Sequence, residues 1–178
     1  MLETNRLFLR RMNETDADYV FAMRSDEEIM RFIRPIQTQK KETESWIKLI
    51  SSRWETEKIG FCAIIEKETK SFAGWCGLWR LNETGETEIG YALLKEFWGK
   101  GYAVEAANAF LKYGFEELKR EKIVAVADPD NQNSRRVMEN VGMKFDYVGF
   151  FYERDLVHYS ILREDFLTPR RRDAKGAK

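Results

Sequence analysis

The sequence has few of the residues that mark disulfide-bonded or metal-binding proteins, and it lacks long apolar runs. Of its 178 residues, two are cysteines and one is a histidine. Cys62 and Cys76 both lie in apolar, strand-like stretches, so we interpret them as buried side chains rather than as a disulfide or metal site. No apolar run approaches the roughly 18 residues that a membrane span needs. We therefore expect no thiol chemistry, no bound metal and no membrane partner.

Linker-like segments are also absent. The chain has three prolines and no proline-, glycine- or serine-rich stretch before residue 168. Because 178 residues suit one ordinary domain with its own hydrophobic core, the sequence predicts a single domain over residues 1–167. The first six residues lack the basic and apolar segments of a secretion signal, which predicts a cytoplasmic location.

A net charge of one sign is missing as well, because 30 basic residues balance 30 acidic ones. The balance is uneven along the chain, since residues 168–178 hold five basic residues and one acidic residue, and residues 1–167 carry an excess of four acids. We interpret residues 168–178 as a basic, disordered tail. Because the rest of the chain shows no basic face, we expect no direct binding of nucleic acid.

Hydrophobic periodicity predicts an α/β fold, in which a mixed, mostly antiparallel sheet is flanked by helices. The unbroken apolar run at residues 123–127 is typical of a strand covered on both faces, and with the preceding strand and helix it indicates a strand–helix–strand crossover. About seven strands are predicted, at residues 6–10, 61–66, 72–81, 86–94, 123–127, 144–152 and 156–163. About four helices are predicted, at residues 16–24, 38–58, 101–118 and 131–140.

The most informative segment joins the strand that ends near Leu94 to the following helix, and it reads FWGKGYAVEA over residues 97–106. Glycines let the backbone turn tightly, and the first N–H groups of a helix have no partner within the helix. Such a turn can bind a pyrophosphate, although two glycines also suit an ordinary strand-to-helix turn. The G-x-G-x-x-G pattern of nicotinamide-binding folds fails at Val104, and the P-loop pattern is excluded.

Three segments in order resemble the GNAT superfamily of N-acetyltransferases, and more narrowly its RimJ/RimL branch of ribosomal-protein N-terminal acetyltransferases and their relatives. They are EIGY at residues 88–91, WGKGYAVEA at residues 98–106 and NQNSRRVMENVGM at residues 131–143. The similarity extends from TNRLFLR at residues 4–10 to YSIL at residues 159–162. It implies a GNAT fold and an enzyme that moves the acetyl group of acetyl-CoA to a primary amine by direct attack in a ternary complex.

The resemblance also implies which residues hold acetyl-CoA. Backbone N–H groups of residues 98–103 would bind the pyrophosphate. The strand from Glu88 to Leu94 would pair with the pantetheine arm, which Asn131 would also contact. An N–H group near Leu93 or Leu94 would stabilise the oxyanion if that strand diverges from its neighbour. Glu96 departs from the family pattern of Gln or Arg, a change that backbone contacts tolerate. The implied cofactor-binding residues are Leu93, Leu94, Trp98, Gly99, Lys100, Gly101, Tyr102, Ala103 and Asn131.

Acetyl transfer requires a group that removes a proton from the amine and a proton for the departing thiolate. Glu88 is the general-base candidate, and strand alternation places it on one face with Gly90 and Ala92, which leave room for a ligand. A solvated carboxylate at a strand end is the open alternative. Many family members use a tyrosine as the acid, but Met138 stands at that position. Ser134 is therefore the candidate, as in the RimJ/RimL branch, with a structural role in the first helical turn as the alternative.

The remaining aromatic and histidine residues carry less weight. We expect His158, between Val157 and Tyr159, to have a packed or surface role rather than a catalytic one. Trp75, Trp79 and the run at residues 150–152 are expected to lie mostly in the core, with one or two of them walling the acceptor pocket.

The acceptor is left open by the sequence. It is either the N-terminal amine of a protein, which we favour, or a small amine such as a polyamine, an amino acid or an antibiotic. Fold alone does not decide between them, because many acceptors share one fold. A homodimer is a further expectation. The alternative from another functional class is a non-catalytic module that binds acyl-CoA.

Overall fold

A computed structural model describes residues 1–33 and 35–168 and places eight strands in one sheet. The predicted tail lies, except for Thr168, outside the described residues. The strands are β1 (Leu2–Glu3), β2 (Leu7–Arg11), β3 (Gly60–Glu66), β4 (Phe72–Arg80), β5 (Thr87–Leu93), β6 (Lys122–Ala127), β7 (Lys144–Phe151) and β8 (Arg154–Leu162). The α-helices within the described ranges are α1 (Ala17–Ser25), α2 (Glu27–Met30), α3 (Lys40–Thr56), α4 (Tyr102–Lys112), α5 (Gln132–Asn140) and α6 (Arg163–Leu167).

The sheet has the order β1-β2-β3-β4-β5-β6-β8-β7 and is antiparallel except between β5 and β6. These two strands run parallel and are joined by α4, which confirms the predicted crossover. Their pairing consists of Glu88 opposite Val124. Beyond that pair the strands diverge, and we call the resulting gap the β5–β6 opening. The gap lies in the middle of the sheet, next to the turn that leads into α4.

Different helices cover the two faces of the sheet. On one face, Trp46 of α3 packs against Phe61 and Trp75. On the other face, Gly114, in the π-helical turn that continues α4, lies against Leu78. Trp75 and Leu78 are three residues apart on β4, so they point to opposite faces, as alternation requires. We call these the α3 face and the α4 face.

The predicted mixed α/β sheet is confirmed, and the differences concern short elements. β1 has two residues, and α2 and α6 have four and five, which is too short for a periodic pattern to show. Cys62 and Cys76 are buried as predicted, and burial raises the pKa of both thiols, that of Cys62 to about 12. None of the helices in residues 1–33 and 35–168 is long and apolar enough to cross a membrane.

Candidate active site

The turn between β5 and α4 requires its two glycines. Gly99 and Gly101 have φ angles of 73° and 78°, in the left-handed region that glycine enters without steric cost. A Cβ atom on Gly99 would have no heavy atom within 4 Å, so this side of the turn is open. The glycine-x-glycine sequence therefore sets the path of the backbone and keeps it accessible from one side.

The backbone N–H groups of residues 99–104 have no hydrogen-bond acceptor in the described part of the chain. The first bond of α4 runs from the N–H group of Glu105 to the carbonyl of Gly101, at 3.0 Å. Gly101 is the N-cap and has no side chain that could accept a bond from these donors. Free donors at the positive end of a helix bind anions, and we call this group of N–H donors the anion site.

One predicted donor lies outside the anion site. The N–H group of Trp98 donates to the carbonyl of Lys95 at 3.1 Å, within the short 3-10 turn that precedes the glycines. The cluster of free donors therefore starts at Gly99 instead of at Trp98. Lys100, Gly101, Tyr102 and Ala103 have free backbone N–H groups within it, and their binding of a pyrophosphate stays a prediction from the resemblance.

Arg6 holds the glycine turn from outside. Its Nη1 donates to the carbonyl of Lys100 at 2.9 Å, and its guanidinium lies 4.5 Å from the centre of the Tyr102 ring. Its Nε and Nη2 both contact Oε2 of Glu105, at 2.7 and 2.6 Å. Thr4 donates to the same carboxylate at 2.6 Å. Sequence reasoning did not assign this role, and the one available signal was the TNRL segment of the family resemblance.

The edge of β5 presents one predicted oxyanion donor to the β5–β6 opening. The N–H group of Leu94 donates to the carbonyl of Ala73 at 2.9 Å. Neighbouring residues of an antiparallel strand point their N–H groups to opposite sides, so the N–H group of Leu93 points away from β4 and toward the opening. The carbonyl of Leu93 accepts from the indole Nε1 of Trp98 at 2.8 Å. Leu93 therefore suits the oxyanion role, whereas Leu94 does not, because its N–H group is already bonded.

Glu88 is buried on the α3 face, and the alternative of a solvated strand end is wrong. The residue is 9% exposed, and the hydroxyl of Tyr152 donates to its Oε2 at 2.5 Å. Burial raises the pKa of Glu88 to about 7, the hydrogen bond from Tyr152 opposes this rise, and the charge of Glu83 adds to it. A carboxylate that titrates near neutral pH can accept a proton from a bound amine.

Tyr152 reaches Glu88 from a strained two-residue turn between β7 and β8. Tyr152 and Glu153 have φ angles of 50° and 62°, which residues other than glycine and asparagine seldom adopt. The N–H group of Tyr152 also donates to Oε1 of Glu83 at 2.6 Å. Strained residues of this kind concentrate at functional sites. Tyr152 is 64 positions from Glu88 in the sequence, and no sequence pattern links the two.

We expected the run at residues 150–152 to lie mostly in the core, and this is correct for only one of its three residues. Phe151 is buried, whereas Phe150 and Tyr152 are exposed. β7 is an edge strand of the sheet, and Phe150 is exposed there. Trp75 is buried as expected, and His158 is packed, with its Nδ1 3.0 Å from Oδ2 of Asp146.

Ser134 lies at the β5–β6 opening on the α4 side. Its Oγ is 3.1 Å from the hydroxyl of Tyr91, which also donates to its carbonyl at 3.1 Å. Its N–H group donates to Oδ1 of Asn131 at 3.1 Å, so Asn131 is the N-cap of α5. Burial raises the pKa of Tyr91, which keeps its hydroxyl protonated. Ser134 therefore has a hydroxyl partner that the sequence did not reveal.

Glu88 and Ser134 approach the opening from opposite faces. Glu88 shares the α3 face with Gly90, as predicted, and Tyr91 points to the α4 face with Ser134. The space above Gly90 is not free, because a Cβ atom there would lie 3.1 Å from Cε1 of Phe61. A ligand in the β5–β6 opening would lie between the carboxylate of Glu88 on the α3 face and the hydroxyls of Ser134 and Tyr91 on the α4 face.

Comparisons with known proteins show which family and which solved structures the chain is similar to. The family model described as "Acetyltransferase (GNAT) domain" matches residues 6–144. The chain is 31% identical over 174 residues to N-acetyltransferase p20 of Bacillus licheniformis, across 93% of this chain and 97% of that protein. A GNAT-family acetyltransferase from Bacillus anthracis has a similar crystal structure, with a TM-score of 0.79, 27% identity and coverage of 92% of this chain and 98% of that one.

A spermidine N-acetyltransferase from Vibrio cholerae, solved in complex with CoA and spermine, also has this fold. Its TM-score is 0.78 at 20% identity, and the match covers 93% of this chain and 100% of that one. At this level of identity, the likeness concerns the fold alone.

Proposed function

The chain belongs to the GNAT acetyltransferase family, and we propose that it acetylates a primary amine by direct attack of that amine on acetyl-CoA while both are bound. The observation that carries this proposal is the anion site beside the β5–β6 opening. Free N–H donors at a helix N-terminus suit the diphosphate of the cofactor. The opening begins directly beside the turn, so the pantetheine arm can extend from the diphosphate along the free edge of β5.

The acid–base steps are assigned to residues on the two faces. The amine enters on the α3 face, where Glu88 removes its proton directly or through water. The thioester carbonyl lies by the N–H group of Leu93, which stabilises the oxyanion of the tetrahedral intermediate. The thiolate leaves on the α4 side, where Ser134 donates a proton with support from the hydroxyl of Tyr91. The C–N bond forms in the tetrahedral intermediate, the C–S bond then breaks as the carbonyl re-forms, and free CoA is released.

Acetyl-CoA is the cosubstrate that the residues of this site suit. The anion site offers several donors in sequence and no carboxylate that hydrogen-bonds to them within the described residues. The free edge of β5 offers N–H and carbonyl groups to an amide-containing arm, as a neighbouring strand would. Asn131 stands at the far side of the opening, where its amide nitrogen remains available beside the capping oxygen.

The RimJ/RimL resemblance assigns a protein N-terminus as the acceptor, within a single domain that spans residues 1–167. Support for this assignment comes from the motif at residues 131–143 and from Ser134 as the acid in place of a tyrosine. A small amine is the second candidate, and a buried arginine on the α3 face favours it, as argued below.

The test is to supply acetyl-CoA with a panel of peptides and small amines and to follow the release of free thiol. Turnover with an amine supports the transferase. Tight binding of acetyl-CoA in calorimetry, with no turnover across the panel, would instead identify a non-catalytic module that binds acyl-CoA. No calorimetric binding of acetyl-CoA to folded protein would refute both.

A further inference from the structure

Arg24, in the last turn of α1, is a buried residue whose guanidinium has no hydrogen-bond acceptor or counter-ion among the described residues. The residue is 8% exposed, and its Nε is fully buried with no acceptor. Neither a hydrogen bond nor an ion pair joins its side chain to residues 1–33 or 35–168. Burial lowers the pKa of Arg24 to about 10, and the charge of Glu42 opposes this shift only in part.

Such a group is costly for a folded protein. An arginine stays charged at neutral pH even with this pKa, and stacking on Trp46 and the charge of Glu42 offset only part of the hydration that the guanidinium loses on burial. Buried polar groups in native proteins nearly always have partners, so an exception requires an explanation. A ligand that supplies the missing anion is one such explanation.

The position of Arg24 places this charge on the α3 face. Its guanidinium lies 4.3 Å from the centre of the Trp46 ring, and Trp46 contacts Trp75 at 5.8 Å between ring centres. A Cβ atom added to Gly90 would lie 3.9 Å from the ring of Trp75. Gly90 and Glu88 are two residues apart on β5 and point to the same face. A chain of contacting rings thus connects the arginine to the strand that carries the general base.

A second unpartnered donor lies on the same surface. The indole Nε1 of Trp75 is fully buried and has no acceptor in the described part of the chain. Two buried donors without acceptors therefore adjoin the aromatic surface formed by Trp46, Phe61 and Trp75, while Glu88 stands at its other end. This surface suits a molecule with an anionic oxygen group at one end and an amine at the other.

Arg53 shows that stacking alone does not explain Arg24. Arg53 lies 4.4 Å from the centre of the Trp79 ring, a geometry close to that of Arg24 on Trp46. Its guanidinium is nevertheless paired with Glu57 at 3.1 Å. Both arginines stack on a tryptophan, but within the described residues Arg53 of α3 has a carboxylate partner and Arg24 of α1 has none.

We propose that Arg24 binds a carboxylate carried by the acceptor, so that the substrate class is an amine that also bears a carboxylate, such as an amino acid. The proposal rests on the acetyltransferase function given above. In this arrangement Arg24 pairs with the carboxylate, and Glu88 receives the proton of the amine. A polyamine would bring positive charge toward Arg24 and leave the guanidinium unpaired.

The test compares amino acids with their matched carboxamides, in which the carboxylate is replaced by a neutral amide of similar shape. The panel contains α-, β- and γ-amino acids, with a tripeptide amidated at its C-terminus and spermidine as competing acceptor types that carry no carboxylate. For the wild-type protein we expect kcat/KM to be at least about tenfold higher for a carboxylate than for its amide. We expect Arg24→Met to remove this preference through KM, Arg24→Lys to retain part of it, and the control Arg53→Met to keep it in full.

A second measurement does not depend on turnover. Calorimetry of N-acetyl amino acids and of their N-acetyl carboxamides should show tighter binding of the carboxylates to wild type, and equal binding to Arg24→Met. Equal kcat/KM values for carboxylates and amides, with active enzyme, would overturn the proposal and leave the transferase intact. Preferred turnover of spermidine or the tripeptide would overturn it as well. If no amine is turned over, the transferase fails, and calorimetry alone decides the role of Arg24.

Discussion

The two ends of the candidate active site are built in different ways. The anion site consists of backbone N–H groups from residues 99–104, a continuous stretch of the chain. The acid–base end consists of side chains that come from distant segments, with Tyr152 on Glu88 and Tyr91 on Ser134. A backbone site depends on local conformation, whereas a side-chain site depends on how the whole sheet is assembled. Mutations at the two ends should therefore affect different kinetic quantities.

The largest effect is expected for Glu88→Gln, which removes the base and keeps the shape. We expect kcat to fall about 1,000-fold, as general-base catalysis contributes at this level, while the dissociation constant of acetyl-CoA stays within about twofold. Single-turnover kinetics and calorimetry measure the two quantities. An unchanged kcat would show that another group removes the proton.

Glu88→Gln should also raise the free energy of unfolding. A structural residue would lower that free energy when replaced, so the sign of the change separates a catalytic role from a structural one. The folded-state pKa of Glu88 is raised from 4.5 to about 7, so the folded protein holds this proton more tightly than the unfolded chain does. The stability of the wild type therefore falls as pH rises from about 4.5 to 7, by up to about 3 kcal/mol for this one group. Glu88→Gln should unfold at higher denaturant concentration than wild type at pH 8, and the gain should shrink toward pH 4.

The next largest effect is expected on acetyl-CoA affinity at the anion site. It is measured with a matched pair of variants, Gly99→Asp and Gly99→Asn. Both side chains tolerate a positive φ, and a Cβ atom at Gly99 meets no neighbour. The aspartate adds a negative charge roughly 5 Å from the diphosphate, which costs about 3 kcal/mol at an effective dielectric constant of about 20. We expect acetyl-CoA to bind Gly99→Asp about 100-fold more weakly than Gly99→Asn. Equal affinities would place the diphosphate elsewhere.

A smaller effect is expected for Ser134→Ala, because the hydroxyl of Tyr91 remains nearby. We expect kcat to fall about tenfold, less than the roughly 100-fold or more that loss of an unsupported general acid costs, with cofactor affinity unchanged. The double variant with Tyr91→Phe should fall further than the product of the two single effects if either hydroxyl can deliver the proton. Purely multiplicative effects would contradict that shared role.

The smallest effect at optimal pH is expected for Tyr152→Phe, which acts through Glu88. The hydrogen bond from Tyr152 lowers the pKa of Glu88, so its loss should raise that pKa above about 7. Because the base must be ionised, kcat/KM should fall a few-fold at pH 7 and recover near pH 9. Tyr147→Phe, at a residue that stacks on His158, is the control and should leave the pH profile in place. An unshifted profile in Tyr152→Phe would remove the link to Glu88.

The same contrast explains what the sequence could predict. The free N–H groups of the glycine turn were predictable because they follow from local backbone geometry, and seven of the strands followed from short periodic patterns. Tyr152 and Arg24 were not predictable, because their contacts are made between segments far apart in the chain. The choice between Leu93 and Leu94 as the oxyanion donor was open in the sequence for a different reason. Whether an N–H group points to β4 or to the opening depends on register, and composition does not fix register.

The anion site also has a consequence for how the enzyme would respond to its surroundings. The diphosphate is identical in acetyl-CoA and in free CoA, so donors that bind only this part cannot distinguish the cosubstrate from the spent product. We therefore expect free CoA to compete strongly for the enzyme and to slow it as it accumulates. The rate of acetylation would then follow the ratio of acetylated to free coenzyme, and so would report the supply of acetyl groups rather than the total coenzyme present.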